Sequence, residues 1–145
     1  MATLQNTAFA TADTLLSTEL NSLTNNSTTA NGTELDVTTG RQFAGVLDLE
    51  LGSFDTSVQT SPGIEIYAVM AAADGTTYPA EQVPRSDYML TIPVSAASSA
   101  KKVYGYGPIY LTPGKYKFYA VNKSGVTLAS SGNSLKLRRF SAESV

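Results

Sequence analysis

Asp48 and Glu50 stand two positions apart in the segment Phe43 to Leu51, and on an extended strand that spacing puts both carboxylates on one face. Paired carboxylates can share acid and base work, as they do in glycoside hydrolysis. Their neighbours favour another use. Leu47, Leu49 and Leu51 alternate with them, so the carboxylates face outward, where cations of an adjacent strand such as Lys136 and Arg138 can meet them. The remaining inventory is thin. The chain has no His, Cys or Trp, which removes the usual base near neutral pH, the commonest transition-metal ligand and every thiolate or disulfide. Gly114-Lys115 lacks the upstream glycine of a phosphate loop, and no Ser or Thr follows the lysine. Asp74-Gly75 reads as a turn, because a calcium loop needs several more oxygen ligands at fixed spacing. Val103-Tyr-Gly-Tyr-Gly107 is superficially like a potassium filter, but it lacks the flanking membrane helices, and its glycines mark a bulge or a close backbone approach. No catalytic, metal or cofactor set survives, and the chain is expected not to be an enzyme.

The elements that would position these residues are strands. From Gln42 onward the hydrophobic period is two. Phe43–Leu51, Ile64–Met70, Tyr88–Val94, Lys101–Tyr106 and a short Ile109–Leu111 read as successive strands, with Pro93 marking an edge or an end. Thr112-Pro-Gly-Lys115 has the form of a type II turn, with Gly114 accepting positive φ. Lys115–Asn122 follows, with Tyr116, Phe118 and Ala120 on one face. Asn122-Lys-Ser-Gly125 turns the chain, Val126–Leu128 begins its return, and Leu135 and Leu137 alternate with Lys136 and Arg138 in the last strand. Seven or eight strands with turns between them predict an antiparallel β-sandwich over residues 42–145.

Residues 1–41 read differently, as an extended arm with a short helix. Asp13 is placed to cap a helix carrying Leu15, Leu16, Leu20 and Leu23 at helical spacing. Asn25 to Gly32 has no large apolar anchor and by itself should be mobile. Held in place, such an arm lies either on a neighbouring subunit or on its own domain. At 145 residues one domain is expected, able to bury a core without staples.

The net charge of −2 hides an asymmetry. Residues 1–90 carry two cations against eleven carboxylates, a net of −9, and residues 91–145 carry eight cations against Glu143, a net of +7. A basic half can bind nucleic acid. These cations alternate along strands, however, and are better placed to face acidic strands of the same sheet, so no nucleic-acid partner is expected. No membrane partner is expected either: the longest apolar stretch, Ile64 to Ala73, is broken by Glu65 and far shorter than the ~20 residues a spanning helix needs. The start Met1-Ala-Thr-Leu-Gln has no signal-peptide form, so synthesis in the cytoplasm is expected, and the sequons at Asn25, Asn26, Asn31 and Asn122 are discounted. Tyr104, Tyr106, Tyr110, Tyr116 and Tyr119 cluster within sixteen positions. Interfaces favour tyrosine, and exposed rings also stack on sugars. The candidate interface residues are therefore Leu15, Leu16, Leu20 and Leu23 of the arm, with Tyr104, Tyr106, Tyr110 and Tyr119.

The segments Asp48-Leu-Glu-Leu, Pro62-Gly-Ile-Glu-Ile-Tyr, Asp74-Gly-Thr-Thr-Tyr, Pro113-Gly-Lys-Tyr-Lys-Phe, Val121-Asn-Lys-Ser-Gly-Val and Ser131-Gly-Asn-Ser-Leu-Lys-Leu-Arg-Arg-Phe together resemble a family of small tailed-bacteriophage virion proteins, the capsid decoration or cement proteins. The resemblance spans roughly residues 44–140 and is most specific from Pro113 to Phe140. It implies a jelly-roll-like sandwich at the outer surface of the capsid. The implied partner is the major capsid protein, which the chain would meet as a homo-oligomer, a trimer before a dimer. No catalytic residue or cofactor comes with it. The alternative is a tail- or capsid-surface module that binds host carbohydrate.

Overall fold

A computed structural model describes residues 4–6, 9–39, 44–53, 63–78, 88–95 and 102–144. Among them run ten strands: β1 (Leu4–Asn6), β2 (Asp13–Leu16), β3 (Leu35–Asp36), β4 (Ala44–Leu51), β5 (Gly63–Met70), β6 (Tyr88–Pro93), β7 (Lys102–Tyr110), β8 (Lys115–Lys123), β9 (Ser134–Phe140) and β10 (Ala142–Ser144). Two four-stranded antiparallel sheets result, one ordered β2-β9-β4-β7 and the other β3-β8-β5-β6, with β1 and β10 forming a separate two-stranded ribbon. The fold is an all-β sandwich. Its pairing has a simple logic: β1 lies on β10, β2 on β9, β3 on β8, β4 on β7 and β5 on β6. The chain doubles back once, between β5 and β6, and the long ribbon so formed is rolled up by the β4–β9 and β5–β8 pairings.

Period-two patterning places the core. Leu47, Leu49 and Leu51 of β4 turn inward and are fully buried, as are Ile64 and Ile66 of β5, Phe118 of β8 and Leu135 of β9. At about 1.5–3 kcal/mol for each large apolar side chain removed from water, this layer supplies the main drive for closing the two sheets. β5 and β8 are buried on both faces. Tyr67, Val69, Tyr119 and Val121 form a second apolar cluster, in which the Tyr67 and Tyr119 rings stack at 4.8 Å. Two expected strands merge: residues 102–106 of Lys101–Tyr106 and residues 109–110 of Ile109–Leu111 belong to the single strand β7, which passes Pro108 by a bulge opposite Gly45–Leu47, while Leu111 lies just beyond it and Lys101 is outside the described residues. The stretch Val126–Leu128 is not a strand, though Leu128 is buried and its N–H donates to the carbonyl of Leu23. Thr112–Lys115 joins different sheets, and Gly114 does not take positive φ. A Cβ at Gly114 would meet the terminal methyl of Met70, the far end of an exposed flexible side chain that can move aside.

The N-terminal region departs most from expectation. No α-helix forms over Leu15–Leu23: Asp13–Leu16 is strand β2, and the only helical turn there is a 3₁₀ turn over Thr18–Leu20. The leucine spacing fits a helix, but a register shift between Thr14 and Leu16 lets Leu15 and Leu16 both turn into the core. Pairing with β9 satisfies the backbone that a short helix would have had to nucleate alone. The segment after it lies along the free edge of β8. Thr29 N–H donates to Ala120 O, Gly32 N–H to Phe118 O, and Asn122 N–H to Ser27 O. Gly32 is needed for this approach, since a Cβ would run into the Leu15 carbonyl. The described part of the arm is thus laid on its own domain. The boundary expected at residue 41 does not divide the packing, because β2 and β3 are strands of the two sheets.

Candidate functional site

The residues that could do chemistry are held in structural pairs. Asp48 lies on the outer face of β4, where Arg138 of β9 donates to both carboxylate oxygens, from Nε to Oδ2 and from Nη2 to Oδ1 at 3.1 Å. That hydrogen bond and the adjacent carboxylate charge raise the Arg138 pKa further. Glu50 stands on the same face, opposite Ser134 and Val103. Asp74 accepts from Thr76 N at 2.9 Å, from Thr77 N at 2.8 Å and from the Thr77 hydroxyl. Thr77, through its hydroxyl and then its N–H, is the main cause that brings the Asp74 carboxyl down to about 2. This is the turn read from Asp74-Gly75. Among the described residues no three metal-ligating side chains converge.

A polar cleft of about 290 Å³ opens between the edges β2 and β3, lined by Asp13, Glu34, Asp36 and Arg139 among others. Its charged groups are also engaged. Arg139 Nε donates to Asp13 Oδ2 at 2.7 Å. Glu34 accepts from the Tyr78 hydroxyl at 2.7 Å and pairs with Lys115 at 3.2 Å. Asp36 accepts from Thr38 N at 2.8 Å.

The expected interface residues separate into three groups. Leu15, Leu16, Leu20 and Leu23 are core residues, and so is Tyr119, 1% exposed beneath Tyr67. None of these five offers a surface, because closing the rolled ribbon needs each of them inside. Tyr104 is half-buried against the core and donates its hydroxyl to Ser95 O at 3.1 Å. Tyr106 and Tyr110 are exposed, by 40% and 75%, but register puts them on opposite faces of β7. Tyr106 stands opposite inward-facing Leu47, and Tyr110 opposite outward-facing Ala44.

What the fold does bring together is a row across one end of the outer face of β2-β9-β4-β7. Ala44 lies between Tyr110 on one side and Phe140 on the other. The Phe9 ring packs edge-on against Phe140 at 5.6 Å and carries the Arg138 guanidinium at 4.7 Å. Phe9 is held there by the Ala10 N–H, which donates to Arg139 O at 2.9 Å, and it remains 50% exposed. Farther along the same face Val103 is 60% exposed. Phe9, Phe140 and Val103 were not legible as surface residues: Phe9 sits in an unpatterned Ala/Thr stretch, and only the pairing with β9 brings it to Phe140. Protein-family models, curated proteins and solved structures give no match to this chain.

Proposed function

We propose that this protein is a structural, non-enzymatic component of a tailed-bacteriophage particle, which binds the outer surface of the assembled capsid and stabilises it. The observation that carries the reading is the aromatic row of Phe9, Phe140 and Tyr110 on one face of the sandwich, in which Phe9 and Tyr110 stand exposed and Phe140 is half-buried beside Phe9. Large aromatics outside a closed core suit a docking surface. The strand orders β2-β9-β4-β7 and β3-β8-β5-β6 suit a jelly roll, an architecture of two four-stranded sheets found in capsid domains. The sequence resemblance over residues 44–140 narrows assembly to a virion, with the major capsid protein as partner and a homo-oligomer as the binding unit. A ligand that binds the finished shell and not its dispersed subunits stabilises the shell by mass action, and many identical sites multiply the effect.

The carbohydrate-binding alternative was drawn from the tyrosine cluster, and Tyr106 and Tyr110 lie on opposite faces of β7, so these two rings do not form one stacking platform. The test is cosedimentation of the purified protein with expanded capsids. Saturable binding is expected, with one fixed number of copies per capsid subunit, and absence of binding to capsids at any protein concentration refutes the proposal.

A further inference from the structure

Strand β7 is a long edge. Among the described strands it pairs with β4 alone, and three of the five large hydrophobics that stand most exposed, Val103, Tyr106 and Tyr110, belong to it. Sheet edges in soluble proteins are commonly guarded by charges, prolines or bulges. Here the bulge and Pro108 guard only the C-terminal part, and Pro108 has no N–H to offer. Over 102–107 the sequence is Lys-Val-Tyr-Gly-Tyr-Gly, with its single charge at the far end.

We infer that β7 pairs antiparallel with β7 of a second copy, about a two-fold axis at Gly105. Side-chain faces select this register. Tyr104 and Tyr106 both share the inward-facing side of β7, opposite Leu49 and Leu47, while Val103 and Gly105 share the outward side. Pairing Gly105 with its own copy sets Tyr104 against the partner's Tyr106, and Tyr106 against the partner's Tyr104. That gives two aromatic cross-strand pairs. The occupant is a second copy because the edge is complementary to itself: the two Lys102 residues fall at opposite ends of the pairing, and no like charges meet. A Cβ at Gly105 would find only Asp48 Oδ1, at 3.8 Å, so the axis position is open. The two sheets then become one eight-stranded sheet, and the aromatic rows of both copies lie on its common outer face. This deepens the assembly reading by naming a partner of the same chain. One short strand pair is well under the ~800 Å² per partner of a stable complex, so the dimer is weak in solution and is favoured where copies are concentrated.

The chain has no cysteine, which makes a crosslinking test clean. Directly opposed antiparallel residues have Cα atoms about 4.5–5.5 Å apart, within the roughly 4.4–6.8 Å that a disulfide spans. Gly105→Cys is expected to give a covalent dimer under mild oxidation. Val103→Cys is not, since its copies would lie about 13 Å apart at ~3.3 Å per residue. In sedimentation of the unmodified chain a concentration-dependent monomer–dimer equilibrium is expected, weakened about tenfold by Tyr106→Lys and unaffected by Tyr110→Lys. A chain that stays monomeric up to the highest soluble concentration overturns the pairing, and so does crosslinking through Val103 with Gly105 silent. Capsid binding by such a strictly monomeric chain would leave the capsid-stabilising role standing and remove this interface together with the homo-oligomeric binding unit.

Discussion

Arg138 on β9 clamps Asp48 on β4 with two guanidinium nitrogens, although the two residues are 90 positions apart in the chain. Two further pairs repeat the relationship: Arg139 with Asp13 at 2.7 Å and Lys115 with Glu34 at 3.2 Å. Each joins a carboxylate of the acidic first half to a cation of the basic second half. A rolled ribbon explains why. When β1–β5 lie against β10–β6 in reverse order, the two halves are neighbours along the paired strands, and in these three pairs their opposite charges meet.

The clamp itself is worth little in isolation, since it is only partly buried. A double-mutant cycle on Asp48→Asn and Arg138→Met is expected to give a small favourable coupling, declining as salt is raised. A second cycle between Arg138 and Phe9 should show a further small favourable contribution from the cation lying over the ring. Urea unfolding of the single and double variants measures both.

The arm leucines are core, and their truncation should be costly. Leu20→Ala or Leu15→Ala is expected to lose about 2–5 kcal/mol of unfolding free energy, the cost of deleting a buried leucine side chain. Tyr110→Ser, on an exposed ring, should change it by no more than about 0.5 kcal/mol. Equal effects from both would contradict the burial of Leu15 and Leu20 in the core.

Asn122 is a fully buried hub that ties the arm to the β8 turn. Its amide donates to Leu23 O at 2.8 Å and Val126 O at 2.7 Å, and its Oδ1 accepts from Ser124 N at 2.9 Å and from the Ser124 hydroxyl at 2.6 Å. Asn122→Ala orphans several of these groups, at about 1–3 kcal/mol each. The expected loss is about 3 kcal/mol or more, with the earliest amide-exchange gains in residues 23–29. The same burial closes the sequon at Asn122.

Glu34, Tyr78 and Lys115 make a clasp with opposite responses to acid and base. The Tyr78 hydroxyl first, and Lys115 second, hold the Glu34 carboxyl below its ordinary 4.5. A lowered carboxyl stabilises the fold above its ordinary pKa, and that share is lost as pH falls below 4.5. Burial, and then the Glu34 hydrogen bond, push Tyr78 from 10.0 to about 12. Its share is full below pH 10.0 and is lost as pH rises toward 12. Melting temperature should therefore be flat between these limits and fall on either side. In an ultraviolet titration, Tyr78→Phe should remove a phenol that ionises near pH 12; a Tyr78 that ionises at 10.0 would contradict the clasp.

Much of the sandwich was legible because β4 and β9 carry alternating runs: Leu47, Leu49 and Leu51 against Asp48 and Glu50, Leu135 and Leu137 against Lys136 and Arg138. The pairing of Asp48 with Arg138 followed from the same alternation. Leu15–Leu23 was misread because four leucines at helical spacing also suit a bulged strand followed by a tight turn, and only pairing with β9 decides between them. Tyr119 was misread because period two predicts an outward ring, whereas β5 and β8 are covered on both faces. Phe9 carries no local signal, and its place comes from Phe140 and Arg138 near the other end of the chain. Asn122 is legible as a turn residue through Ser124 and Val126, but not as the tie to Leu23, 99 positions away.

The central claim is that the outer face bearing Phe9, Phe140 and Tyr110 docks on an assembled capsid. Calorimetry of expanded capsids with and without saturating protein tests it most directly. The capsid transition is expected to move to higher temperature, and the double variant Phe9→Ser/Tyr110→Ser, itself folded, should lose most of that shift. An unchanged capsid transition at saturation, or a full shift with the double variant, would contradict it.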